Sequence, residues 1–142
     1  MINFKIVTPE GIIYEDKVEK VTVPTTSGEI TILPHHIPLV SVLKAGELIA
    51  YKAGVPIAMS VAGGIVEMRP GDKLYIMADT AERAERIDIE RAQIARARAE
   101  ELLAQTAHVA DVDFARLQAA IEREMARIKV AKKYRKTNYV KN

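Results

Sequence analysis

"IMADTAERAERIDIERAQIARARAEELLA", residues 76–104, decides the fold, because the periodicity of the chain changes within it. All six prolines and all seven glycines lie before residue 72. From Ala81 onward there is neither, and alanine, arginine and glutamate take their place. Proline and glycine punctuate turns, whereas these three residues favour helix. The switch sets a domain boundary at about Asp79–Thr80, with one unit over 1–80 and another over 81–142.

Upstream of it the chain reads as short strands broken by turns. "FKIVT" (4–8) alternates, "KVEKVTVP" (17–24) ends on proline, and "EITIL" (29–33) follows the Ser27-Gly28 turn. "PLVSVL" (38–43) lies between Pro38 and Gly46. Two hairpins follow: residues 47–64 turn near Ala53-Gly54, and residues 64–78 turn at Pro70-Gly71-Asp72. Strands so short and regularly spaced predict an antiparallel sandwich or flattened barrel. Gly63-Gly64, between two apolar runs, reads as a bulge or a close backbone contact.

Downstream the spacing predicts two helices. Thr80 is placed to cap the first, with Glu82 in its first turn, and the helix should run to about Ala107. "HVADVD" (108–113) breaks the pattern, and Asp111 or Asp113 caps the second helix. There Phe114, Leu117, Ile121, Met125 and Ile128 recur at spacings of three and four. Ala92, Ala95, Ala99, Ala119 and Ala126 would let two helices approach closely. The class is therefore α+β: an N-terminal antiparallel β-sandwich followed by a C-terminal antiparallel two-helix hairpin. A lone helical hairpin buries little area for its entropy cost, so this one should dock on something else.

Composition narrows the function. With 49% hydrophobic and 28% charged residues, the 142-residue chain is a core-forming protein. Lacking cysteine, it has no disulfide, thiolate metal site or cysteine nucleophile. No apolar run approaches the ~20 residues that span a bilayer. "MINFKIVTPEG" lacks a signal-peptide pattern, which points to the cytosol. Charge is graded: residues 1–80 carry −2, residues 81–110 carry −1, and residues 111–142 carry +5. An acidic partner belongs at the C-terminal end.

No catalytic constellation emerges. His35-His36, between two prolines, reads as loop packing and not as a metal site, with only His108 elsewhere. Asp72 and Asp79 suit a turn and a cap, and there is no phosphate loop. The tail "KVAKKYRKTNYVKN" (129–142) combines five lysines and an arginine with two tyrosines. It reads as a nucleic-acid contact, a solvated terminus, or a segment that docks on an acidic protein surface.

Arginines pose the sharpest question. Ile87, Ile94 and Leu102 share a helical face, and Arg91 and Arg98 point along it. Asp88 is placed to pair with Arg91, an exposed pair contributing only ~0.3–0.5 kcal/mol. Guanidinium forks on a packing face also suit an anionic ligand, especially phosphate. A solvated, snorkelling face is the alternative. Arg96 lies on another face. Arg123 and Arg127 share a face of the second helix, roughly opposite its apolar stripe.

"SGEITILPHHIPLVSVLKAGEL" (27–48) and "VAGGIVEMRPGDKLYIMADTAERAERIDIERA" (61–92) resemble the epsilon subunit of the bacterial rotary F-type ATP synthase, over essentially the whole chain. The Gly-Glu-x-x-Ile-Leu-Pro-x-His block, the Gly-Gly hairpin and the Ala-Asp-Thr-Ala junction carry the likeness. It implies a ten-stranded sandwich with a helical hairpin, and a non-catalytic role in the central stalk. The implied partners are the gamma subunit, the c-ring, and the alpha and beta subunits, at the cytoplasmic face of the bacterial membrane without insertion into it. The helices would inhibit ATP hydrolysis when extended, with Lys132, Lys133, Arg135 and Lys136 as the inhibitory tail. Some relatives bind ATP through an Ile/Leu-Asp-x-x-Arg-Ala motif, complete here as Ile87, Asp88, Arg91 and Ala92. Glu82, Arg98, Arg123 and Arg127 match the accompanying positions. ATP, with or without magnesium, is then a regulatory ligand, and no covalent cofactor is expected. A small nucleic-acid-binding module using the basic tail is the rival reading.

Overall fold

Strict alternation builds the first strand. Along β1 (Ile2–Thr8) the side chains of Ile2, Phe4 and Ile6 are fully buried, while Asn3, Lys5 and Val7 face outward. The computed structural model describes residues 1–105 and the backbone of 111–139, with side chains over 113–136 of that second segment. Seven further strands follow: β2 (Gly11–Val18), β3 (Lys20–Thr25), β4 (Gly28–Ile32), β5 (Leu39–Val42), β6 (Gly46–Lys52), β7 (Val55–Arg69) and β8 (Lys73–Arg83). Two helices complete the chain, α1 (Ile89–Gln105) and α2 (Asp111–Tyr139).

The strands form one sheet in the order β2-β1-β8-β7-β6-β3-β4, with β5 added to β7, and it folds over on itself. The β7 strand serves both layers: its first half pairs with β6 and its second half with β5. From Met59 to Arg69 it pairs with β8. Counting β7 and β8 once in each layer turns eight continuous strands into the expected ten. All pairs are antiparallel except β1 with β8, which run parallel. That exception arises because the strands that open and close the domain lie side by side, a pairing no local turn could signal.

The fold-over sits at Gly63-Gly64, both at positive φ, +65° and +111°. Pairing continues one-for-one from Ala62↔Thr80 to Gly64↔Ala78, so no residue is inserted. This is a close backbone approach and not a bulge. Between the layers, Phe4, Ile6, Leu74, Ile76 and Met68 of one face Val23, Ile32, Leu48, Ala50 and Met59 of the other in a single buried cluster.

The expected boundary moves. The β8 strand runs on to Arg83, beyond the compositional switch, and Thr80 and Glu82 are strand residues paired with Ala62 and Ser60. Thr80 caps nothing, and Asp79 lies in the strand opposite Gly63, its carboxylate where a Gly63 side chain would sit. Loss of glycine and proline marks the last turn, not the last strand; cross-strand pairing overrides the helical composition. A 3-10 turn at Ala84–Arg86 follows. Asp88 is the true cap of α1: its Oδ1 accepts the Arg91 backbone N–H at 3.1 Å, and its carbonyl accepts from Ala92.

The packing faces of the helices also differ from the expected stripes. On α1 the buried residues are Ala92 and Ala99, two turns apart, where the helix meets α2. Ile94 is 66% exposed, Leu102 is exposed, and Ile87 precedes the helix. On α2, Ile121 and Ile128 are buried and Leu117 half-buried, but Phe114 and Met125 are exposed. Glu124, Ala126, Val130 and Ala131 are buried instead. The cause is that α2 has two neighbours, α1 and the sandwich, so no single stripe describes its burial. Val130 and Ala131 close on Ala84 and Ile87, with Ala58, Ile89 and Tyr134 at the margin.

Because that seam is small and separate from the core of the sandwich, residues 1–83 expressed alone are expected to unfold in one cooperative transition. A gradual melt of this fragment would show that the core needs the helices.

Candidate functional site

Two surfaces of the molecule are built for contact. The first is the outer face of the layer containing β5, β7, β8, β1 and β2. Strand register aligns Val42, Ile65, Met77, Val7 and Ile12 in one row across it. Four of these are exposed and Val7 is half-buried. Val40 and, in the adjoining loop, Leu33 and Ile37 extend the apolar surface, Ile37 being 74% exposed. Contiguous apolar side chains on an outer sheet face mark an interaction surface.

The next row is polar and fixed. Val40, Glu67 and Tyr75 lie in register there. Arg69 donates from Nε and Nη2 to the two oxygens of Glu67, at 2.8 and 2.9 Å, and its guanidinium lies 4.6 Å from the Tyr75 ring centre. Hydrogen bonding to Arg69 holds the Glu67 carboxyl below its usual range. None of these residues stood out in the sequence. Their signal is that strands here are apolar in both phases, as in "PLVSVL" and "GIVEM", where a half-buried strand would alternate.

The second surface is the hairpin. Its eight expected ligand residues do not converge on one cavity. Glu82, Arg123 and Arg127 meet where β8 approaches α2, lining a cleft of about 350 Å³ with Ser60, Thr80 and Thr8. Arg91 and Arg98 line a different groove of about 380 Å³ between the helices, floored by Ile94, Leu102 and Leu117. No residue lines both. Ile87 is buried in the docking seam, and Ala92 is small because α2 passes over it. Asp88 holds a backbone amide of α1, not the Arg91 guanidinium as expected. Arg91 and Arg98 therefore point along a solvent-facing groove, not along the packing face; that role belongs to Ala92 and Ala99. Arg96 pairs with Glu100 on another side, as its spacing suggested.

Arg123 and Arg127 face the sandwich and not the outside of α2. Arg127 Nε donates to Glu82 at 3.0 Å and Nη1 to Glu124 at 2.8 Å; Arg123 Nε donates to Glu124 at 3.4 Å. Glu124 is only 5% exposed. Burial pulls the pKa of Arg127 down, but hydrogen bonds to Glu124 and Glu82 and their charges outweigh it and push it up. Arg127 is thus a permanent cation clamped between two carboxylates, one on each unit. Glu82→Gln is expected to loosen α2 from the sandwich, read as faster amide exchange over 121–131 while the strands stay protected. Equal protection in the variant would show that the apolar seam suffices.

The tail begins on the same helix. Lys133 Nζ lies 2.7 Å from Glu47 Oε2 on β6, and Lys132, Lys133, Arg135 and Lys136 are all exposed. The hydrogen bond to Glu47 raises the Lys133 pKa, aided by the charges of Glu47 and Glu29. A lysine whose pKa is raised on docking contributes fully below its unfolded value near 10.5 and loses that contribution as pH climbs through the raised value. Docking of α2 should therefore weaken above about pH 10.5, and Lys133→Gln should flatten that alkaline dependence in amide exchange. Residues 140–142 of the tail, His108 and the first half of the expected 108–113 break lie outside the described residues; its second half, from Asp111, already belongs to α2.

The remaining loop candidates hold the fold. His35, at φ +67°, donates its backbone N–H to Asp72 Oδ1 at 2.6 Å, joining the loop before β5 to the β7–β8 turn. Among the described residues no group of three His, Asp or Glu is arranged for a metal, and no helix is long and apolar enough to cross a membrane.

Comparison with known proteins fits this division. The family described as ATP synthase, delta/epsilon chain, beta-sandwich domain, matches residues 1–84, and its long alpha-helix domain matches residues 85–132. The ATP synthase epsilon chain of Dehalococcoides mccartyi is 43% identical over 135 residues, covering 95% of each chain. That of Bacillus licheniformis is 44% identical over 131 residues, covering 92% of this chain and 98% of its own. A chain of the mitochondrial ATP synthase of Euglena gracilis shares the fold at a TM-score of 0.72 and 22% identity, with 88% of this chain and 78% of that one covered. A chain of the Tetrahymena thermophila central stalk and c-ring does so at 0.59 and 15%, with 94% and 95% covered. The chain belongs to the epsilon-chain family of ATP synthase, a stalk subunit whose part is structural and regulatory and not catalytic.

Proposed function

We propose that the sandwich docks on the gamma subunit and the c-ring through its outer apolar row, and that the hairpin senses ATP and inhibits hydrolysis when it leaves the sandwich. The carrying observation is the alignment of Val42, Ile65, Met77, Val7 and Ile12 across five strands. A sheet face that left these side chains in water has no use in an isolated chain. Docking there would leave the hairpin, on the other layer's β6 and β7 halves, free to move.

Val42→Asp with Ile65→Asp should abolish recovery of the other ATP synthase subunits when the tagged chain is drawn from solubilised membranes, with the fold intact by circular dichroism. Undiminished recovery overturns the docking reading, and recovery of RNA or DNA alone favours the nucleic-acid rival.

ATP, with or without magnesium, would be held by the hairpin in its docked form. Arg91 and Arg98 offer guanidinium forks beside an apolar floor; Arg123 and Arg127 line a separate cleft and are paired with Glu82 and Glu124, so a ligand reaching them would have to displace those carboxylates. Ligand bound only to that form stabilises it, by about 2.7 kcal/mol at a hundredfold excess over the dissociation constant. High ATP would then release inhibition and depletion restore it. Arg91→Ala is expected to weaken binding roughly tenfold or more, from the 1.5–3 kcal/mol typical of charged hydrogen bonds. Asp88→Ala should weaken it through the lost helix cap, and Arg96→Ala should not. Calorimetry decides: no millimolar binding by the wild type, or equal effects of Arg96→Ala and Arg91→Ala, removes ATP from the account.

A further inference from the structure

We propose that Glu47 and Glu29 form an internal acidic wall that engages the lysines of α2 and competes with any outside acidic surface for the tail. A groove of about 800 Å³ runs between the sandwich and α2. On its sandwich side stand Glu29, in β4, and Glu47, in β6. Lys129 and Lys132 line its helix side, and Lys133 bonds directly to Glu47. This contact joins residues 86 apart in sequence. Glu47 cannot drift, because its backbone pairs with Ser60 in a strand held by neighbours on both edges. The helix carries its cations beside the apolar seam of Val130 and Ala131, so opening the seam also separates Lys133 from Glu47.

Both units supply opposite charge for this purpose, −2 over residues 1–80 and +5 over residues 111–142. While α2 is docked, Lys133 is paired within the chain, and an external carboxylate surface competes with Glu47 for its half-exposed ammonium. The sandwich thereby sets a threshold for release of the tail. The consequence for hydrolysis rests on the reading that the tail inhibits; the clasp itself does not.

The test uses the full chain, wild type against Glu29→Gln with Glu47→Gln, and Glu15→Gln on β2, paired with Lys5 away from the groove, as the control. Amide exchange over 126–136 is measured from about 0.05 to 0.5 M salt, a range over which the screening length falls from over 10 Å to a few ångströms. The wild type should open several-fold more readily as salt rises. The double variant should exchange several-fold faster at low salt and lose most of the salt dependence, the remainder belonging to the Arg127–Glu82 pair, while the control behaves as wild type. Unchanged exchange in the double variant, or a wild type insensitive to salt, overturns the proposal. In the reconstituted complex the double variant should hydrolyse ATP more slowly, because its tail is released. If exchange shifts as expected and hydrolysis does not, the clasp stands and the inhibitory reading of the tail fails.

Discussion

Replacing Gly64 by alanine is expected to destabilise the sandwich by about 4 kcal/mol or more, within the range that few single substitutions reach. Gly64 adopts φ +111°, which L residues rarely occupy, and a Cβ built there would overlap the Met77 carbonyl oxygen. The obstacle is backbone, so no rotamer change relieves it. The neighbouring strand must move, and β8 carries Leu74 and Ile76 into the core. Leu43 also donates its amide to the Gly64 carbonyl, tying the end of β5 to the corner. Against a total of 5–15 kcal/mol for a typical domain, about a quarter of the stability or more is at stake. Gly54→Ala is the matched control, since it has φ +73° with nothing within 4 Å of the added methyl. Only the left-handed strain applies there, about 1–2 kcal/mol. Urea midpoints of the two variants measure the difference. Equal losses would mean that the corner does not depend on close backbone approach.

That corner shows how much of the fold was legible. Gly63-Gly64 announced something other than an ordinary strand, and the turns at Ala53-Gly54 and Gly71-Asp72 lie where positive φ requires them. Local chemistry carries such information. The parallel β1–β8 pair depends on residues some 70 positions apart, and the length of β8 on its pairing with the first half of β7, and no local pattern contains either. The helix start was misread for a related reason. Thr80 and Asp88 are both competent caps, and only the pairing of Thr80 with Ala62 removes the first from contention. The hairpin arginines were recognised as unusual, but their setting was inverted. Helical spacing puts Arg91 and Ile94 on one face correctly; it does not say that the neighbouring helix chooses the alanine face instead. The outer row of the sandwich escaped notice because its members come from five strands, and register alone brings them together.

Neutralising the exposed tail, by Lys132→Gln, Arg135→Gln and Lys136→Gln, is expected to raise ATP hydrolysis by the complex while leaving its assembly intact. Removing residues 129–142 is the simpler change but a poorer one. It would also delete Val130, Ala131 and Lys133, which hold α2 on the sandwich, and so alter docking and charge at once. The three substituted residues are exposed, and the Glu47–Lys133 pair and the seam remain. Only contacts made by the released tail should change, apart from Lys132, which also lines the groove facing Glu29 and Glu47. If each charge forms one exposed pair with an acidic surface of the catalytic subunits, the loss is about 0.2–1 kcal/mol apiece, or roughly threefold to a hundredfold in occupancy of the inhibited state. Salt should reproduce part of the effect in the wild type and none in the variant, because such pairs are screened over ~8–10 Å at physiological ionic strength. The step affected is arrival of the extended helix at its site, so inhibition should set in more slowly after ATP is withdrawn. Hydrolysis at the wild-type rate, with the same response to salt, would remove these cations from the inhibitory contact and leave Lys133, once freed from Glu47, as the residue to test.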